Sequence, residues 1–97
     1  MSKVFGKEPS MNLYKMILEL KDLDECYRFF QDLCTVSELR AMEQRFEVAV
    51  LLQKGMIYNE ILEQTGASSA TISRVNRALN YGVEGYHQVF ARVLGDE

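Results

Sequence analysis

Histidine, proline and cysteine are nearly missing from this chain. Of its 97 residues one is histidine (His87), one is proline (Pro9) and two are cysteine (Cys26 and Cys34). Each scarcity excludes something. Cys26, Cys34 and His87 do not fall at the spacing of a zinc site, so no metal is expected. No glycine-rich phosphate loop occurs, and no nucleophile has a plausible base. Glu43 and Glu47, four apart, read as a solvated helix face rather than an acid–base pair, and His87 as a surface or packing residue. The chain is therefore not expected to be an enzyme, and no cofactor is expected.

Long apolar runs are missing too. None approaches the ~18 residues of a membrane span, and MSKVFGKEPS lacks the apolar core of an export signal. The expected location is the cytoplasm, with no membrane partner, and the cysteines are expected to be buried thiols rather than a disulfide. β-Branched runs bounded by turns are also absent. Leu, Met, Glu, Gln, Ala, Lys and Arg dominate, and apolar residues reach 47%, enough for a packed core. An all-α fold follows. A chain this short makes one domain or one subunit of something larger, and it buries only a modest fraction of its surface alone.

Residues 1–10 read as a mobile N-terminal tail, and 11–97 as one helical domain. Ser10 is placed to cap a helix over 11–20 with Leu13, Met16, Ile17 and Leu20 on one stripe. Asp22 caps a second over 23–33, where Cys26, Phe29, Phe30 and Leu33 recur at helical spacing. Thr35 and Glu38 fit a capping box opening a third helix over 36–54, which stops at Gly55. Its apolar positions are Leu39, Met42, Phe46, Ala49, Val50 and Leu52. Two short helices follow at 57–65 and 69–80, and a last one over 83–94. The first two helices carry wide apolar faces that include Tyr14 and Tyr27. A two-fold dimer would cover them; the other reading is an ordinary core under the long third helix.

The segment NEILEQTGASSATISRVNRAL, from Asn59 to Leu79, has the spacing of a helix-turn-helix, at about 57–80. Ile61 and Leu62 are expected on the inner face of its first helix. Gly66 can take the left-handed conformation that ends that helix, and Ser68 is a good N-cap for the second. Ile72, Val75 and Leu79 fix one face to the core. Ser69, Ala70, Thr71, Ser73, Arg74 and Arg77 are left on or near the outer face. Short side chains followed by arginines suit entry into the major groove of double-stranded DNA. The net charge of −3 runs mildly against this. Its distribution runs the other way: Thr65 to Val83 holds two arginines and no acidic residue, while Glu19, Asp22, Asp24, Glu25 and Asp32 crowd the first third.

From Thr35 to about Leu94 the chain resembles the tryptophan repressor superfamily, within its YerC/YecD branch. The resemblance rests on SELRAMEQRFEVAVLLQKG, EILEQTGASSATISR, VNRAL and a final amphipathic helix, in that order; the pattern GAxxATISR is its most specific part. It implies an intertwined helical homodimer whose helix around Ser69 to Leu79 enters the major groove. It also implies operator contacts at Ser69, Ala70, Thr71 and Ser73, with Arg74 closing the motif. Thr35, Arg45 and Arg74 match residues lining the relative's corepressor pocket. Val75 and Ala78 depart from it: Val75 stands for a glycine beside the indole, and Ala78 for a serine at the ligand's polar end. The resemblance therefore leaves room for a small-molecule effector but argues against tryptophan.

The resulting expectation is a dimeric, sequence-specific DNA-binding regulator, a repressor on a palindromic operator. Lys54, Ser68, Ser69, Ala70, Thr71, Ser73, Arg74 and Arg77 form its DNA-binding set. The rival reading is a helix-turn-helix scaffold serving as a protein–protein module. RNA is disfavoured because stacking aromatics are absent from 65 to 80.

Overall fold

The computed structural model describes residues 8–94, and among these every regular element is a helix. In chain order they are α1 (Met11–Ile17), α2 (Leu23–Leu33), α3 (Val36–Gln53), α4 (Tyr58–Thr65), α5 (Ser69–Tyr81) and α6 (Gly85–Val93). The all-α expectation is met. The tail expected at 1–10 lies, for residues 1–7, outside the described residues; residues 8–10 precede α1 without regular structure. The chain divides into two compact units, Met1–Val36 and Ser37–Glu97.

In the first unit α1 is shorter than the apolar stripe suggested. After Ile17 the bonding tightens, with the Glu19 and Leu20 amides donating to the Met16 and Ile17 carbonyls three residues back. α2 starts where Asp22 placed it. The Asp22 carboxylate accepts from the Glu25 amide at 2.8 Å, and the Glu25 carboxylate accepts from the Lys21 amide at 2.7 Å, a reciprocal cap of the kind that opens helices. Neither α1 nor α2 buries a single residue. Phe29 and Phe30 meet edge to face at 5.5 Å. Cys26 and Cys34 are free thiols, half-buried rather than buried.

The second unit has the core. Val48 and Ala49 of α3, Ile61 of α4, Ala67 of the turn, Ile72, Val75 and Leu79 of α5 and Phe90 of α6 pack as one cluster. Periodicity misplaced part of it. Val48 is fully buried, whereas Met42 and Phe46 keep more than a third of their surface in solvent. The cause is the unbroken run Val48–Leu52: a helix apolar on several sides does not announce which face goes inward. On α4 only Ile61 is buried, and Leu62 is 43% exposed; adjacent residues point about 100° apart on a helix, so one short helix buries one of them. α6 begins at Gly85, not 83, because Glu84 adopts φ 72 and Val83 stands in solvent.

Two glycines limit how the helices of this unit can be joined. Gly66 ends α4 in the left-handed region (φ 74) with open space where a Cβ would go. Gly82 ends α5 with a negative φ of −84, but a Cβ there would lie 2.4 Å from the Ala78 carbonyl oxygen. Gly66→Ala should therefore cost only the dihedral penalty, about 1 kcal/mol. Gly82→Ala should cost more, since backbone must move. Urea unfolding at one fixed protein concentration ranks the two, and the reverse order would contradict the packing at Gly82.

Candidate nucleic-acid interface

The turn between α4 and α5 is built from backbone demands upward. Thr65, the last residue of α4, donates its hydroxyl to the Ile61 carbonyl at 2.7 Å, and its oxygen accepts from the Ala67 amide at 3.1 Å. Its carbonyl accepts from Gln44 Nε2 of α3 at 3.3 Å. One side chain thus closes α4 and holds the turn, while α3 grips it from below. Sequence reasoning missed both Thr65 and Gln44. A threonine directly before the capping glycine was the available signal; the partner on α3, 21 residues away, left none.

Ser68 then opens α5 as expected. Its Oγ accepts from the Thr71 amide at 3.1 Å and its hydroxyl donates to Thr71 Oγ1, also at 3.1 Å. Both residues of this pair are therefore engaged in the cap, and Thr71 is half-buried rather than on the open face. Ser69, Ala70, Ser73, Arg74 and Arg77 are exposed.

Ala70, Ser73, Arg74 and Arg77 come together along one side of α5, lining a shallow concavity of about 360 Å³. Their spacing is the helical stripe i, i+3, i+4, i+7. At 100° per residue this stripe points roughly 170° away from Ile72, Val75 and Leu79. Burying one face therefore aims the other at solvent. Among the described residues neither arginine makes a hydrogen bond or an ion pair, so both guanidinium groups are available to an anionic partner. Lys54 lies apart from this stripe, exposed in the connection after α3, where its amide continues the helix to Val50.

The residues matched to a corepressor pocket are distributed differently. Arg74 belongs to the outer stripe. Val75, 2% exposed, is core on the opposite side of the same helix. Ala78 lines an apolar groove with Phe46, Gly82, Tyr86, Val89 and Phe90. Arg45 is half-buried on α3 and forms no ion pair among the described residues; Thr35 belongs to the first unit. Among the described residues no group of three His, Cys, Asp or Glu side chains is placed to hold a metal ion, and no helix is long and apolar enough to cross a membrane.

Comparison with known proteins gives this geometry a setting. The family model described as Trp repressor protein matches residues 10–94. That match takes in α1 and α2, beyond the last two-thirds of the chain where the resemblance was first visible. The protein YerC of Bacillus subtilis (strain 168), itself uncharacterised, is 53% identical over 95 residues, which span 98% of this chain and 90% of that one. A TrpR-like protein from Eubacterium eligens superposes with a TM-score of 0.83 at 58% identity, covering 88% of this chain and 87% of the other. A candidate Trp repressor from Staphylococcus aureus does so with 0.84 at 42% identity, over 88% and 85%.

The Ser68 cap gives a direct check on this site. Ser68→Ala should lower unfolding stability by about 1 kcal/mol, and Ser68→Gly by only a few tenths. Equal losses in urea melts would mean that the hydroxyl does not cap α5.

Proposed function

The chain belongs to the Trp repressor protein family, and from that premise we propose that it is a cytoplasmic transcriptional repressor that binds a palindromic DNA operator as a homodimer. The observation that carries the reading is the solvent-facing stripe of α5, whose two arginines have no ion pair among the described residues and lie opposite a core-anchored face. In this reading the N-terminal half of α5 lies in the major groove. Ser69 and Ser73 offer short or water-bridged hydrogen bonds, and Ala70 offers a methyl to a thymine methyl. Arg74, Arg77 and Lys54 supply phosphate or guanine contacts, and Ser68 and Thr71 hold the helix start in register.

The homodimer is supported by α1 and α2, which bury nothing although α2 carries a pronounced apolar stripe. A two-fold dimer is also how a short helix-turn-helix reader doubles its site on a palindrome. Tryptophan is not the effector we favour. Val75 fills core volume where the relative has a glycine, and Ala78 offers no hydrogen bond. The net charge of −3 favours one other reading, a helix-turn-helix scaffold that docks proteins.

Selection of random duplex DNA by the purified protein, without and then with amino acids, separates these. An enriched palindrome without ligand is the expected result; no enrichment in either arm points to the protein-docking scaffold. On the enriched duplex, Arg77→Ala should weaken binding and flatten the salt dependence of log K by about 0.9 if it contacts a phosphate. An unchanged affinity and slope remove Arg77 from the interface. Sedimentation at low micromolar concentration should give twice the 11.2 kDa chain mass; a stable monomer would falsify the dimer.

A further inference from the structure

The C-terminal end of α5 is held by a side chain that plays no part in the reading above. A helix leaves its last carbonyls without intrahelical partners. In α5 the Ala78 carbonyl accepts from the Gly82 amide at 3.0 Å, and the Leu79 carbonyl lies 2.7 Å from Nε2 of His87, in the first turn of α6. A carbonyl only accepts, so Nε2 must carry the proton. Among the described residues this is the one hydrogen bond joining α5 to α6.

Two features make that bond consequential. The connection it closes is unusual: Gly82 stands where a Cβ would collide with the Ala78 carbonyl, and Glu84 takes a left-handed φ of 72. A non-glycine residue stays in that region only where its surroundings over-determine it. The far side of the bond is firmly based. Three residues after His87, the buried Phe90 meets Phe46 of α3 at 6.0 Å and Tyr86 at 5.7 Å. The path from α3 through Phe90 and His87 therefore ends on the last turn of the helix that carries Arg74 and Arg77.

We propose that His87 is a positioning residue for DNA reading: by donating to the Leu79 carbonyl it fixes the angle at which α5 presents its outer stripe. The role rests on the DNA-binding function proposed above. Ser68 holds the start of the helix and His87 its end, so the core residues between them need not set its tilt alone. Sequence-specific contacts demand that tilt, because base edges must be met at hydrogen-bonding distance. Non-specific binding through phosphates tolerates a loose helix.

The test compares wild type, His87→Leu and His87→Gln as full chains, on the duplex enriched by wild type and on an unrelated duplex. Glutamine can place an amide donor near the position of Nε2; leucine cannot donate. His87→Leu should lose about tenfold in affinity for the enriched duplex, the scale of one lost hydrogen bond at a part-buried carbonyl. Its affinity for the unrelated duplex and its salt slope should stay as in wild type, and His87→Gln should recover most of the loss. If His87→Leu does not fold, His87→Asn replaces it: the same amide, one methylene short, should show the loss that glutamine does not. Wild-type behaviour of the leucine or asparagine variant overturns the proposal. So does an equal loss on both duplexes with a flattened slope, which marks a direct phosphate contact. If wild type enriches no duplex, the DNA-binding reading itself fails and the role of His87 goes with it. Normal enrichment with an indifferent His87→Leu defeats His87 alone.

Discussion

Ile72, Val75 and Leu79 of α5 are buried against Ile61 of α4, Val48 and Ala49 of α3 and Phe90 of α6, and the rest of the second unit is arranged around that contact. Fully burying one such side chain contributes about 1.5–3 kcal/mol, so rotating α5 about its axis to hide a different face would forfeit several. The rotation of α5 is therefore set by apolar burial. Ala70, Ser73, Arg74 and Arg77 face solvent because they lie opposite. Charge and hydroxyl chemistry decide what the outer face can touch, but they do not decide where it points.

Around this contact the polar groups act as end-stops. Thr65 and Gln44 hold the turn, Ser68 caps the start of α5, and His87 meets a carbonyl at its end. Each satisfies a backbone group that a helix terminus leaves open. A short helix has few residues over which to average out fraying, so its ends matter in proportion. The body is acidic in its first third and carries no acidic residue from Thr65 to Val83. Sign of charge is thus segregated along the sequence, and the local charge of a segment rather than the net charge of the chain sets which partners it attracts.

The first unit obeys a different logic. α2 is well capped and strongly amphipathic, yet it buries no residue, and neither does α1. An amphipathic helix owes most of its stability to packing of its apolar face rather than to propensity. In a single chain that face is left incompletely used, and this is where dependence on a second copy would be greatest. The family match reaches back to residue 10 and takes in both helices, although the most specific sequence pattern lies in α4 and α5.

The sequence by itself determined the elements whose causes are local. Asp22, Gly66 and Ser68 each act on backbone groups within a few residues, so the starts of α2 and α5 and the end of α4 were legible from them. The outer stripe of α5 was legible too, since periodicity and a single well-defined apolar face point the same way. Only the tertiary structure decided which side of α3 goes inward, because Val48–Leu52 is apolar without interruption and local pattern carries no preference. It alone decided that α6 starts late, after a left-handed Glu84. It alone paired Gln44 with Thr65 and His87 with Leu79. Those pairings join residues that only the folded chain brings within hydrogen-bonding distance, and no rule of spacing along the sequence encodes them.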